Sequence, residues 1–340
     1  MARIYIAYTG GTIGMRPTRK GFAPAKGHLA EAIAIQPEFK HHALPEFVIH
    51  EYDELIDSSN MTPANWNAIA RDIQCHYDDY DGFVILHGTD TMAYTASALS
   101  FMLNGLKKPV IITGSQIPFA ELRSDARANL IGAMLLAARK DLPEVCLYFG
   151  NTLYRGNRSS KLDASGFSAF DSPNYPSLGE MGIRLRLNKQ YILPTPEEAF
   201  GVSEVSDVAI GTVHLFPGIS SKVIENTLQQ PVRGLVILTY GAGNIPSQDK
   251  TLVELIRQAC ERDIAIVNCT QCAKGRVDMT GYETGMVLKE CGVIDAHDMT
   301  IECTISKLSW LLSQEHDMST VRQLMSDSLR GELTKTPQDT

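Results

Sequence analysis

The 340-residue chain has no run of about 18 uncharged apolar residues, the least that a membrane-spanning helix needs. It also lacks the charged-then-apolar opening of a secretion signal: Met1-Ala2-Arg3 passes at once into a strand-like run beginning at Ile4. Basic residues are in deficit. Lys and Arg number 31 against 39 Asp and Glu, so the net charge is −8, which repels phosphate backbones and anionic lipid and argues against nucleic acid or membrane as a partner. Seven scattered cysteines form no disulfide framework, and the expectation is a reduced, cytoplasmic protein. Nine histidines give no His-x-x-x-His pair, and Cys269-Thr270-Gln271-Cys272 has no second cysteine pair, so structural thiols and no catalytic metal are expected.

What is present is an ordinary globular composition, 44% hydrophobic and 21% charged, in a chain long enough for two domains. Short apolar, β-branched segments recur at residues 3–8, 47–52, 82–87, 109–113 and 144–149, and again at 207–213, 234–239 and 264–268. Most are near-continuous rather than alternating, as in a parallel sheet covered by helices on both faces. Helical patterns lie between them. Thr62-Pro63 offers an N-cap and a first-turn proline before Trp66, Ile69, Ala70 and Ile73, and further helices are expected at 92–103, 127–139, 220–228, 250–260 and 319–329. This alternation predicts an α/β fold. The prediction is a larger N-terminal, doubly wound, flavodoxin-like domain (1–190), a linker (191–206) rich in proline and carboxylate, and a smaller Rossmann-like α/β domain (207–340).

In open parallel sheets, ligands bind beyond the carboxyl ends of the strands. There the sequence repeats one theme, glycine beside hydroxyl groups. The first strand runs into Thr9-Gly10-Gly11-Thr12-Ile13-Gly14, the third into His87-Gly88-Thr89-Asp90-Thr91, and the fourth into Thr113-Gly114-Ser115-Gln116. The fifth leads to Gly150-Asn151 and on to Arg155-Gly156-Asn157-Arg158-Ser159-Ser160-Lys161. Glycine lets backbone N–H groups approach an oxyanion, and threonine supplies a hydroxyl able to attack an acyl carbon. A hydroxyl is a weak nucleophile near neutrality and needs a helper. An unprotonated Lys161 amine could take its proton, with Asp90 holding that amine in place. Taken singly, each turn also reads as a helix cap or a solvated loop.

The segments 9–14 and 87–91 together resemble the two signature motifs of the bacterial-type L-asparaginases, and 155–161 resembles the segment supplying that family's catalytic lysine. The likeness runs through the chain to Leu329-Arg330-Gly331-Glu332-Leu333-Thr334 and is greatest to the cytoplasmic, type I branch. The resemblance implies hydrolysis of L-asparagine to L-aspartate and ammonia without metal or organic cofactor, by a homodimer or homotetramer. It assigns nucleophilic attack to Thr12, the supporting group to Thr89, Asp90 and Lys161, and substrate contacts to Asp57, Ser58, Ser59, Gly11, Gly88 and Ser115. Gly11 and Thr89 N–H groups are the expected oxyanion donors. Related activities that the resemblance also spans are glutaminase-asparaginase and the amidase working on charged tRNA. A non-catalytic amino-acid sensor is the contrasting reading.

The chain departs from the family pattern twice. Phe22 stands in the loop where the family has a tyrosine, so the hydroxyl that could relay a proton to or from Thr12 is gone. Leu238 stands where activated relatives have an arginine that clamps an effector carboxylate, which predicts weak or absent activation by asparagine through that route.

Overall fold

The computed structural model describes residues 1–19, 21–281 and 283–335. The chain divides into two compact units, Met1–Ser203 and Glu204–Thr340. The first opens with β1 (Arg3–Gly10), a 3-10 turn at Thr12–Gly14, a hairpin of β2 (Met15–Thr18) and β3 (Gly21–Pro24), α1 (His28–Ala34) and β4 (Glu46–Ile56). There follow α2 (Pro63–His76), β5 (Gly82–Leu86), α3 (Met92–Met102), β6 (Leu103–Asn104), β7 (Val110–Thr113), α4 (Ala126–Ala137) and β8 (Val145–Phe149). The unit closes with β9 (Thr152–Arg155), β10 (Ser160–Lys161), β11 (Phe170–Asp171), β12 (Gly179–Met181), β13 (Leu185–Leu187) and β14 (Gly201–Val202).

Strands β4-β1-β5-β7-β8 lie side by side and parallel, the flavodoxin-like order, with the winding reversing between β1 and β5. Strands β9, β12 and β13 extend this sheet antiparallel. The sequence pattern explains the parallel part. Every residue of β5, β7 and β8 is buried, whereas β4, on the sheet edge, alternates between half-buried and exposed positions. Helices α3 and α4 are apolar almost all round because both their faces meet protein, Leu99 and Phe101 in α3 and Leu130 and Met134 in α4 being fully buried. Helix α2 is amphipathic and buries Trp66, Ile69, Ala70 and Ile73. Its start is fixed by Asn65, whose carboxamide oxygen accepts from both the N–H and the hydroxyl of Thr62.

Much of the proline- and carboxylate-rich segment before the second unit packs on the first. Phe200 stacks on Tyr77 with ring centroids 3.6 Å apart, Glu198 accepts from the Gly105 N–H, and β14 pairs with β6. The second unit consists of β15 (Ile210–His214), α5 (Ser221–Thr227), β16 (Gly234–Thr239), α6 (Lys250–Glu261), β17 (Ala265–Thr270), α7 (Glu283–Glu290), β18 (Ile294–Asp295), α8 (Ile301–Ser313) and α9 (Met318–Ser326). Its four strands are parallel and stand in sequential order, without reversal. The helix expected at 319–329 ends earlier. Beyond Ser326 the chain turns, and the Glu332 carboxylate accepts the N–H groups of Leu329 and Arg330 while pairing with buried Lys307.

Candidate active site

The reversal point between β1 and β5 is where the first two glycine-hydroxyl turns meet. Gly10 and Gly11 both have positive φ (135° and 84°), which only glycine adopts freely, and a Cβ on Gly11 would lie 2.4 Å from the Gly88 nitrogen. A Cβ on Gly88 would lie 2.4 Å from Ser58 Oγ. The turns of Gly11 and Gly88 are thus in backbone contact with the Ser58 side chain packed on Gly88, and Thr12 and Thr89 each follow the contact point by one residue. The loop carrying Asp57, Ser58 and Ser59 is tied in by Thr91, whose hydroxyl donates to the Ser58 carbonyl at 2.8 Å. Asp57 accepts the Ser59 N–H at 3.0 Å, and both side chains are exposed while Ser58 is buried.

The turn after β5 is braced from beneath by a one-directional chain. His87 is fully buried, and desolvation lowers its pKa from 6.5 to about 4, so the ring is neutral. Its Nδ1 lies 2.7 Å from the Gly88 carbonyl and must carry the proton, because a carbonyl only accepts. Nε2 therefore accepts from the Thr95 hydroxyl at 2.9 Å, and Thr95 accepts from Trp66 Nε1 at 3.0 Å. None of these three supports was expected from sequence, although Trp66 and Thr95 are each the fourth residue of a recognisable helix.

Lys161 reaches the site by an unexpected route. Gly150-Asn151 is not a strand-to-helix turn but the tip of a hairpin, both residues having positive φ, and β9 runs back down β8 until Arg155 lies opposite Cys146. The chain then returns, and Lys161 Nζ ends 2.8 Å from both Thr89 Oγ1 and Asp90 Oδ1. Lys161 is 17% exposed and Asp90 65%, so the pair opens to solvent on the carboxylate side.

The structure brings Thr89, Asp90 and Lys161 into direct contact and stacks Gly11, Gly88 and Ser58 beside them. The Thr12 hydroxyl has no hydrogen-bond partner among the described residues. Two expected contacts read differently. The Gly11 N–H donates to the Ile56 carbonyl at 3.2 Å, so it is not free as an oxyanion donor, and Thr89 remains the candidate of the two. The Ser115 hydroxyl donates to the Ile117 carbonyl at 2.7 Å, within its own loop. That loop is pinned by Asp125, which accepts the N–H groups of Gln116 and Ile117, and Asn129 joins it to the hairpin tip by bonding the Gly114 carbonyl and the Gly150 N–H.

Phe22 lies in β3, opposite Pro17, and is 52% exposed. Tyr8 does not replace the missing loop hydroxyl. Its OH is buried against Gly14 without a hydrogen-bond partner, and burial pushes its ionisation well above the usual tyrosine range. Cys269 is buried and Cys272 exposed, both as free thiols, and no group of three or more His, Cys, Asp or Glu side chains able to hold a metal occurs among the described residues.

Known proteins resemble this chain over both of its units. Residues 3–193 match the family described as "Asparaginase, N-terminal", and residues 209–325 match "Glutaminase/Asparaginase C-terminal domain". L-asparaginase 1 of Escherichia coli K12 is 54% identical over 331 residues, 97% of this chain and 98% of that one. The crystal structure of L-asparaginase I from Vibrio cholerae superposes with a TM-score of 0.92 at 51% identity, over 98% of this chain and 99% of the other. The thermostable L-asparaginase from Thermococcus kodakarensis gives 0.88 at 34% identity, over 98% and 100%. With both of its domains matched and relatives alike from end to end, the chain belongs to the asparaginase family.

Proposed function

We propose that this protein hydrolyses L-asparagine to L-aspartate and ammonia through a threonine acyl-enzyme. The observation that carries the reading is the meeting of Lys161 Nζ with Thr89 Oγ1 and Asp90 Oδ1 at 2.8 Å, from segments some seventy residues apart in sequence. Binding an amino acid needs no amine against a hydroxyl; activating an oxygen nucleophile does. In this mechanism Thr12 Oγ attacks the side-chain amide carbon of asparagine. Its proton passes to the departing nitrogen, the C–N bond breaks and ammonia leaves. Water then attacks the ester, and its proton returns to Thr12. Thr89, Lys161 and Asp90 handle the proton of the attacking group, and the Thr89 N–H faces the developing oxyanion, a contribution of about 2.7–4 kcal/mol for a well-aimed donor.

In this proposal Asp57 and Ser59, both exposed in the loop that holds Ser58 against Gly88, take the α-amino and α-carboxylate groups. Glutamine differs from asparagine by one methylene, which a pocket discriminates by roughly 1–3 kcal/mol, so side activity on glutamine belongs to the proposal. A cytoplasmic homodimer or homotetramer, without nucleic-acid or membrane partners, completes it. The acidic net charge supports the last point, and no described helix is long and apolar enough to cross a membrane. The test is ammonia release from asparagine and from glutamine, wild type against Thr12→Val. Turnover by wild type and its loss in the variant are expected; equal turnover by both would remove Thr12 from the mechanism.

A further inference from the structure

Thr89 has a second partner outside the expected site. Its hydroxyl lies 3.1 Å from Gln116 Oε1, while Gln116 Nε2 lies 3.1 Å from the Gly166 carbonyl and 3.4 Å from that of Ala164. The two backbone carbonyls only accept, so they fix the NH2 end of the amide toward themselves and its oxygen toward Thr89. An amide oxygen also only accepts. The Thr89 proton therefore lies on the line to Gln116, and Thr89 Oγ1 presents a lone pair to the N–H of Lys161. The chain has one direction: Lys161 donates to Thr89, Thr89 to Gln116, and Gln116 to the 164–166 turn.

We propose that Gln116 is a positioning residue that holds the Thr89 proton away from Lys161, so that the hydroxyl must turn from the amide to the amine before it can be deprotonated. This inference rests on the hydrolase reading given above. In the turned state the Thr89 O–H breaks as an N–H forms on an unprotonated Nζ, across the existing 2.8 Å contact. Gln116 is held firmly enough for this task. Its own N–H and that of Ile117 are bonded to Asp125, and the turn it touches belongs to a hairpin closed by Lys161 and Phe170 in register and by the Leu162 N–H on the Ala169 carbonyl. The charged groups around the chain are each engaged. Asp90 is on Lys161 and Asp125 is beneath the Gln116 backbone. Asp163 is held below the usual carboxylate range by the N–H groups of Ser165 and Gly166.

The test is the pH profile of kcat/KM for asparagine in Gln116→Met and Gln116→Glu. Methionine keeps the length but removes the acceptor. The freed Thr89 hydroxyl can then donate to a neutral amine, and the midpoint of the acid-side limb should fall by roughly 0.5–1 pH unit, the size of one net hydrogen bond. Glutamate keeps an acceptor and adds a negative charge that favours the ammonium form, so the midpoint should rise. Opposite movements support the inference. Lowered kcat with unmoved midpoints, or movement in one direction for both variants, would reduce Gln116 to a structural residue and overturn it. Should the methionine variant not fold, the glutamate variant decides alone, an upward shift supporting the inference and none overturning it. Wild type inactive on asparagine would instead remove the hydrolase reading, a separate outcome.

Discussion

Each of the two units contains a lysine paired with a carboxylate, and the two pairs differ in every respect but distance. Lys307 and Glu332, 2.5 Å apart, are wholly buried, and Lys307 also donates to the Met325 and Asp327 carbonyls. Lys161 and Asp90, 2.8 Å apart, are open to solvent and share the amine with a hydroxyl. The first pair closes every polar group onto protein and so is architecture; the second leaves capacity for a reactant. The strand ends repeat the contrast. The second unit also carries hydroxyls at its strand ends, but Thr239 donates to Asn268 at 2.7 Å, Thr270 to the Gly241 carbonyl at 2.5 Å, and the Gln271 amide to the Leu215 and Leu238 carbonyls. Its strands stand in sequential order, so it lacks the reversal that opens a crevice between β1 and β5. Both units are α/β, but only the first has a sheet whose winding reverses, and its strand ends carry the candidate site.

Exchanging the effects of the two lysines is the strongest way to break this comparison. Lys161→Met should lower turnover of asparagine roughly a thousandfold or more while leaving the unfolding midpoint within a few degrees. Lys307→Met leaves Glu332 buried without its cation and should cost about 3–5 kcal/mol in urea unfolding, with the folded fraction still active. A stable, inactive Lys307→Met would show that the buried pair has a chemical role. Next in size is the pH response of His87. Its folded-state pKa, about 4, lies below the unfolded value of 6.5, so its contribution is complete above pH 6.5 and lost as pH falls toward 4. The loss amounts to about 3 kcal/mol and should be absent in Thr95→Val,His87→Leu, which unfolds at a midpoint less dependent on pH over that window.

Gly11→Ala should cost about 2–4 kcal/mol, since it combines a positive φ with a 2.4 Å approach to backbone. Gly88→Ala meets chiefly the Ser58 side chain, which can move, with the Gly11 Cα at an ordinary 3.4 Å, and should cost less stability than activity. The smallest expected effect is an absence. Leu238, buried in β16, offers nothing to an effector carboxylate, so rates against asparagine should be hyperbolic, and a sigmoidal curve would contradict that.

The fold was legible where burial is uniform. The strands beginning at Gly82, Val110 and Gly234 read as unbroken apolar runs because helices cover both faces. Helix α8 was not legible, because the side it buries carries Ser306 and Lys307, residues that normally mark a solvated face. In the sequence the hairpin between β8 and β9 looks like a strand end, since Gly-Asn fits either a loop or a tight turn. In the candidate site, the glycine-hydroxyl turns pointed to Thr12, Thr89, Asp90 and Lys161. Gln116 and His87 stand in those turns only as neighbours of the hydroxyl groups. Their roles depend on which atoms donate and which accept, and spacing along a chain does not carry that information.

The most direct test of the central claim is acid quenching of enzyme during turnover of asparagine, followed by mass mapping of its peptides. An aspartyl group esterified to the peptide holding Thr12, and its disappearance in Thr12→Val, are predicted. The same group found on the peptide holding Thr89, or turnover with no ester at any quench time, would contradict the account.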